Sequence, residues 1–120
     1  MARIMIADDS DAIRMVLKDI LKIGHHDMVS ETTNGFETVQ EYVKVKPDVL
    51  LLDLAMPKKD GISALKEILT KDPSAKIIMI TASDNQNTIK ECFDNGASAY
   101  ILKPFDFEEV LKTITNVSRL

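Results

Sequence analysis

Five strand-like segments alternate with segments of helical periodicity along this chain. Four of them are continuous apolar runs, at residues 4–7, 49–52, 77–80 and 99–102. Continuous apolar runs of this length are typical of strands that are covered on both faces of a sheet. The remaining segment, at about residues 26–32, mixes polar and apolar side chains, which predicts a strand at an edge of the sheet.

Apolar residues at intervals of three and four follow each strand and predict five amphipathic helices. The predicted buried stripes are, in chain order, Ile13, Val16, Leu17, Ile20 and Leu21; Phe36, Val39 and Val43; Ile62, Leu65, Ile68 and Leu69; Ile89, Cys92 and Phe93; and Phe107, Val110, Leu111, Ile114 and Val117. A glycine or proline is expected to end each of the first four helices, at Gly24, Pro47, Pro73 and Gly96. Asp106, with Glu109 three residues later, opens the fifth helix in the manner of a capping box.

The alternation of strand and helix, five times with short connections, predicts an α/β fold. Short links between parallel strands require right-handed crossovers and place helices on both faces of the sheet. We therefore expect one domain, residues 1–120, built on a doubly wound, five-stranded parallel sheet. The polarity of the second strand favours the order 2-1-3-4-5, in which that strand lies at an edge.

Charged or hydroxyl side chains stand at the ends of the four apolar runs. Asp8 and Asp9 follow the first strand, Asp53 follows the third, Thr81 the fourth and Lys103 the fifth. The carboxyl ends of parallel strands meet at one edge of the sheet, where open α/β folds bind their ligands. The sequence therefore predicts an acidic pocket that contains one lysine.

The chemistry of this predicted pocket points to a metal ion and a phosphoryl group. Three carboxylates at one edge would repel one another unless a cation neutralised them. Oxygen ligands favour Mg²⁺, with Mn²⁺ as an alternative, and the lack of histidine there argues against zinc. The chain has no GxxxxGK[ST] loop to cradle a nucleotide. Asp53 is then the natural acceptor, a carboxylate nucleophile that would form an acyl phosphate.

Net charge, cysteine content and hydropathy argue against several classes of protein. The net charge is −4, from 19 acidic and 15 basic residues, with the lysines spread along the chain; this argues against direct nucleic-acid binding. Cys92 is the only cysteine, the start of the chain lacks the pattern of a signal peptide, and no apolar stretch is long enough to cross a membrane. We therefore expect a cytoplasmic protein with no membrane contact.

Five short motifs, in order and at strand ends, resemble the receiver domain of two-component response regulators in its stand-alone, CheY-like form. The matching residues are Ala7 to Ser10 with Arg14, Asp53 to Pro57 with Asp60 and Gly61, Thr81 with Ala82, Gly96 with Ala97, and Tyr100 with Lys103 to Phe105. The resemblance covers the whole chain. It implies a flavodoxin/CheY-like fold that acts as a phosphorylation switch rather than as an enzyme with a separate substrate.

The resemblance implies a role for each residue of the pocket. Asp53 would accept the phosphoryl group from a sensor histidine kinase. Asp9, Asp53 and the main-chain carbonyl of Ala55 would bind Mg²⁺, with Asp8 acting mainly through water. Lys103 would pair with the phosphoryl group, and the peptide bond to Pro104 would be cis.

The same resemblance implies how phosphorylation would change the binding of a partner protein. Thr81 would move toward the phosphoryl group and Tyr100 would turn inward behind it, although an aromatic residue at a strand end is as well explained by packing. The face of the fourth helix, fifth strand and fifth helix would bind an output partner, with chemotaxis as the leading pathway. Ala55 and Ser83 would flank the phosphoryl group and influence the access of water. The unphosphorylated protein would be a monomer.

Four alternatives stay open at this point. A phosphorelay intermediate would share the site but would depend little on Thr81 or Tyr100, and the chain could be the receiver of a longer regulator. A phosphohydrolase of the haloacid dehalogenase type would have its nucleophile after the first strand, whereas Asp53 follows the third. A flavin-binding module of the same topology is disfavoured by the acidic first loop and the scarcity of aromatic residues.

Several other residues are predicted to have only structural roles. Five methionines are interpreted as core residues: Met5, Met15, Met28, Met56 and Met79. His25 and His26 follow the end of the first helix and are expected in an exposed loop. Cys92 is expected to be a small buried apolar group.

Overall fold

The computed structural model describes residues 1–120. Its elements are β1 (Arg3–Ala7), α1 (Asp11–Ile23), β2 (Asp27–Thr32), α2 (Gly35–Val45), β3 (Val49–Leu52), α3 (Gly61–Lys71), β4 (Ile77–Thr81), α4 (Gln86–Asp94), β5 (Ala99–Leu102) and α5 (Phe107–Ser118). The predicted fivefold alternation of strand and helix is confirmed. None of the helices has the length and apolar character needed to span a membrane.

The five strands form one parallel sheet in the order β2-β1-β3-β4-β5, as predicted. β3 lies at the centre and is buried along its whole length, whereas β2 lies at one edge and has only one buried residue, Thr32. The polar residues of the second strand therefore did identify an edge. β5 forms the opposite edge and leaves Leu102 exposed.

Two hydrophobic cores lie on opposite faces of the sheet. Met5 and Leu50 point into the core that contains α2, α3 and Cys92 of α4. Ile6 and Leu51 point into the core that contains α1 and α5. Because consecutive strand residues face opposite sides, continuous apolar strands fill both cores, and the sheet is doubly wound.

Side chains cap every helix at its N-terminus. The caps are Ser10, Asn34, Asp60, Asn85 and Asp106, each of which accepts a backbone amide hydrogen bond two or three residues into the helix. The predicted start of the fifth helix is therefore confirmed. Because Ser10 caps α1, the carboxylates of Asp8 and Asp9 are not needed to cap this helix.

The predicted buried stripe of α2 is wrong in two of its three residues. Phe36 and Val43 are 54% and 47% exposed, and only Val39 is buried. The face that packs on the sheet also contains Thr38 and Tyr42, whose polar atoms are satisfied inside the protein. The Thr38 hydroxyl donates to the carbonyl of Asn34, and Tyr42 bonds a carboxylate of the next helix. Apolar residues alone therefore did not locate the inward face.

The predicted buried stripes of three other helices are each wrong in one residue. Val16 of α1, Phe93 of α4 and Phe107 of α5 are 46%, 46% and 47% exposed.

Two further expectations, for Met15 and His26, need correction. Met15 is 64% exposed, because it precedes the buried Leu17 by two residues and so lies on the opposite side of α1. His26 is only partly exposed, and its Nδ1 accepts a hydrogen bond of 3.0 Å from the amide of Ala2. His25 is exposed and Cys92 is buried, as expected.

Candidate functional site

The carboxyl edge of the sheet brings together the side chains that the sequence placed at strand ends. Asp8 follows β1 and Asp53 follows β3, while Thr81 is the last residue of β4. Lys103 follows β5, and its peptide bond to Pro104 is cis. Neighbouring strands β1, β3, β4 and β5 end side by side, so four separate segments contribute to one site.

Lys103 lies between two buried carboxylates. Its Nζ is 2.9 Å from Oδ2 of Asp8 and 3.5 Å from Oδ2 of Asp53. Asp9 is exposed, yet one carboxylate oxygen from each of Asp8, Asp9 and Asp53 lies within 4.8 Å of the others. One ammonium group faces three carboxylates, so this edge keeps an excess of negative charge.

The pKa of Asp53 is raised above its ordinary value. Burial is the largest cause, because it disfavours the charged carboxylate, and the negative charge of Asp8 adds to it. The Lys103 ammonium, the Thr81 hydroxyl and the Ala55 amide oppose this effect by stabilising the charged form. Asp53 is 4% exposed. It is therefore shielded from solvent, and its neighbours Lys103 and Thr81 favour its ionised state.

Every polar atom of Asp8 makes a hydrogen bond. Its main-chain amide donates to the Thr32 carbonyl at 3.1 Å, and its Oδ1 accepts from the Ser10 amide at 2.9 Å. Its main-chain carbonyl accepts from Nη1 of Arg14 at 2.7 Å, while Lys103 bonds the other carboxylate oxygen. Arg14 was matched to a family motif in the sequence, without a predicted contact.

The loop after Asp53 folds back against the end of β3. The Gly61 amide donates to the Leu54 carbonyl at 2.8 Å, and a Cβ at Gly61 would lie 2.1 Å from the main-chain oxygen of Asp53. Only glycine allows this close approach. Ala55 is exposed directly beside Asp53, and Lys58 adopts a positive φ of 68° in the same loop.

Tyr100 occupies a position that serves both packing and hydrogen bonding. Its ring packs against the core on the α2 and α3 face, and its hydroxyl donates to the Ser83 carbonyl at 2.6 Å. Burial is the largest reason why the pKa of Tyr100 is raised. The structure therefore links β5 to the segment between β4 and α4.

Three surface cavities lie away from the acidic edge. Cavities of about 410 to 540 Å³ open along α2, α3 and the end of α4, and none is lined by Asp8, Asp53 or Lys103. The acidic edge, with two buried carboxylates and one lysine, suits a small charged group.

A comparison with protein families decides the classification. The family model for the response regulator receiver domain matches residues 4–115. The chain belongs to this family. Receiver domains are regulatory switches of two-component systems, and the acceptance of a phosphoryl group is general to them. The predicted resemblance is therefore confirmed.

Relatives of this receiver include chemotaxis proteins. It is 39% identical to the chemotaxis protein CheY of Listeria monocytogenes, over 99% of this chain and 100% of that protein. It is 40% identical to CheY of Thermotoga maritima, over 98% of each chain. The solved complex of CheX, CheY, BeF3 and Mg²⁺ from Borrelia burgdorferi contains a chain similar to this one, with a TM-score of 0.93 and 32% identity over 96% of this chain and 87% of that one.

Proposed function

We propose that this receiver is a switch in which Asp53 accepts a phosphoryl group from a sensor histidine kinase. The observation that carries the proposal is the buried Asp53 carboxylate, which lies 3.5 Å from the Lys103 ammonium at the same edge as Asp8 and Asp9. The peripheral oxygens of a phosphoryl group need cationic and hydrogen-bonding partners. Lys103 and the Thr81 hydroxyl, which both stabilise the charged form of Asp53, are suited to supply them.

The proposed transfer is a substitution at phosphorus. A carboxylate oxygen of Asp53 attacks the phosphorus atom of a phosphohistidine, and a P–O bond forms as the P–N bond breaks. The imidazole of the kinase leaves with the electron pair of the broken bond and binds a proton from solvent. The product is an acyl phosphate on Asp53, and the Lys103 ammonium offsets part of its added negative charge.

The donor set at this edge fits Mg²⁺, with Mn²⁺ as a second candidate. All the available ligand atoms are oxygens, and the three carboxylates lie within 4.8 Å of one another, as hard divalent cations require. Asp9, Asp53 and the main-chain carbonyl of Ala55 would hold the ion, and Asp8 would act mainly through water. When bound, the ion supplies positive charge that reduces repulsion between the acidic edge and the incoming phosphoryl group.

The proposed output surface is the face formed by α4, β5 and α5. Phe93, Leu102 and Phe107 each expose apolar surface on one of these elements. Clustered exposed apolar side chains are typical of protein-binding surfaces. Thr81 ends β4 next to β5, and Tyr100 belongs to β5, one of the elements of this face. A phosphoryl group that draws Thr81 inward would therefore alter the affinity for an output protein.

Chemotaxis is the proposed pathway for this output. Two relatives of nearly the same length are named chemotaxis protein CheY, and a similar chain is found in a complex with CheX. These names support an output partner that belongs to a chemotaxis system and prefers the phosphorylated form.

Labelling with a small phosphodonor tests the acceptor directly. We expect acetyl phosphate and Mg²⁺ to add one phosphoryl group to the wild-type protein, as measured by intact mass, and to add none to Asp53→Asn. Asp60→Asn is the matched control, because it changes another aspartate of the same loop while asparagine still caps α3. An adduct that persists in Asp53→Asn, or one that forms equally well without Mg²⁺, would contradict the proposal.

A further inference from the structure

Arg14 makes the only side-chain contact to the main chain between the two acidic residues of the first loop. Its Nη1 donates to the carbonyl oxygen of Asp8 at 2.7 Å. The Arg14 side chain is only 11% exposed, although it lies on the surface helix α1. A charged side chain that is largely removed from water needs specific partners, and this carbonyl is one of them.

The contact determines the orientation of one peptide plane. The carbonyl of Asp8 and the amide of Asp9 belong to the same planar unit. Because the Arg14 contact holds the Asp8 carbonyl in one direction, it also sets the direction of the Asp9 amide and of the main chain at Asp9. Asp9 itself is exposed, and its carboxylate lies near those of Asp8 and Asp53. Its position therefore depends on the direction of the main chain.

Two carboxylates hold the guanidinium in place. Nε of Arg14 donates to Oε1 of Glu31 at 2.9 Å, and Nη2 pairs with Asp11. Glu31 belongs to the edge strand β2, and its other oxygen pairs with Lys18 at 2.6 Å. The three nitrogens of the Arg14 guanidinium thus contact the first loop, α1 and β2. A lysine, with one ammonium group, cannot reproduce this fork.

We propose that Arg14 is a positioning residue for the metal site, which it serves by holding the Asp8–Asp9 peptide in the orientation that lets both carboxylates face Asp53. The inference rests on the proposed function, because it assumes that Mg²⁺ binds at Asp9 and Asp53. Residues that orient metal ligands without touching the ion typically change metal affinity by roughly 10- to 100-fold when they are replaced.

Electrostatics and positioning predict opposite results for the loss of Arg14. Removal of a positive charge makes the acidic edge more negative, which by itself should tighten the binding of a divalent cation. Loss of the contact to Asp8 should weaken the binding, because the ligands are no longer pre-arranged. The sign of the change therefore separates a positioning residue from a charge that merely lies nearby.

The test is the Mg²⁺ affinity of Arg14→Gln, Arg14→Lys and Lys18→Gln, each measured without a phosphodonor by titration with MgCl₂ and amide NMR shifts. Lys18→Gln is the matched control: it removes one positive charge from the same helix, and Lys18 contacts Glu31 but neither Asp8 nor Asp9. We expect Arg14→Gln to bind Mg²⁺ roughly tenfold more weakly or worse. Arg14→Lys should also bind more weakly, although its charge is kept, and Lys18→Gln should bind as well as or better than the wild-type protein.

Each outcome supports or overturns the inference. Unchanged or tighter binding in either folded Arg14 variant overturns it, as does equal weakening in Lys18→Gln. Thermal unfolding shows which variants are folded, and Arg14→Lys decides the matter if Arg14→Gln is not. A wild-type protein that does not bind Mg²⁺ overturns the proposed metal site itself, whereas a defect confined to the variants leaves that site intact and supports the role of Arg14.

Discussion

Single residues at the acidic edge depend on close main-chain packing as well as on charge. Gly61 is the clearest example, because its α-carbon lies against the carbonyl of Asp53 and the α-carbon of Leu54. Asp60 and Gly61 match a family motif in the sequence, which by itself gives no physical reason for the glycine. The structure provides one, since any side chain there would push on the end of β3.

Gly61→Ala should therefore lower the stability of the protein. The new Cβ would lie 2.1 Å from a main-chain oxygen and 2.6 Å from a main-chain carbon, and neither atom can move without shifting the strand end. We expect a loss of about 1–3 kcal/mol in the free energy of unfolding, measured by urea denaturation.

Gly24→Ala is the matched control for this substitution. A Cβ at Gly24 would come within 2.4 Å of Cδ2 of Leu111, but that atom is the end of a side chain that can rotate away. We expect a smaller loss than in Gly61→Ala. Equal losses in the two variants would show that the approach of Gly61 to Asp53 has no special cost.

At the scale of elements, the position of α2 is determined by polar contacts as much as by apolar ones. The Tyr42 hydroxyl donates to Oδ2 of Asp72 at 2.8 Å, which ties α2 to the residue that ends α3. Burial and this hydrogen bond raise the pKa of Tyr42. Ser74 and Tyr42, in that order, lower the pKa of Asp72. The hydrogen bond thus favours the protonated phenol and the ionised carboxylate.

Tyr42→Phe should weaken the packing of α2 on α3. Asp72 keeps its bonds from Ser74, so its carboxylate is not left without partners. We expect a loss of about 1–2 kcal/mol in the free energy of unfolding. A double-mutant cycle with Asp72→Ala measures the coupling directly: if the two single losses simply add, the hydrogen bond contributes nothing to the joining of the helices.

At the scale of the whole molecule, stability should depend on pH near neutrality through one histidine. Burial is the largest cause of the lowered pKa of His26, and its Nδ1 must be unprotonated to accept from the Ala2 amide. An unfolded histidine titrates near pH ~6.5. Below that pH the unfolded state binds a proton that the folded state resists, so stability is complete above about 6.5 and falls as the pH drops toward the folded pKa.

His26→Asn should remove this pH dependence, because asparagine can accept a hydrogen bond but does not titrate. Free energies of unfolding between pH 5 and 8 provide the measurement, with a slope for the wild-type protein of at most about 1.4 kcal/mol per pH unit from one proton. His25→Asn is the control, since His25 is exposed and has a positive φ of 59° that asparagine tolerates. The same slope in the wild-type protein and His26→Asn would refute the prediction.

Local periodicity determined most of the fold. Continuous apolar runs placed four strands to within one residue, and the polar second strand identified an edge. This was possible because a strand that is covered on both faces is apolar at every position, whereas an edge strand tolerates polar side chains. The capping residue of the fifth helix was also readable from the sequence alone. The extent of the domain was predicted from the same alternation, and the roles of the site residues from the resemblance to a family; both stay predictions.

Tertiary structure alone decided which side chains meet. The Lys103–Asp8 pair joins residues 95 positions apart, and its existence depends on β5 and β1 ending at the same edge. The inward face of α2, the exposure of Met15 and the contact between Arg14 and the Asp8 carbonyl were likewise invisible in the pattern. The physical reason is that the spacing of apolar residues indicates which residues are buried. The partner of a polar group depends instead on the strand order and on how each helix is rotated about its own axis.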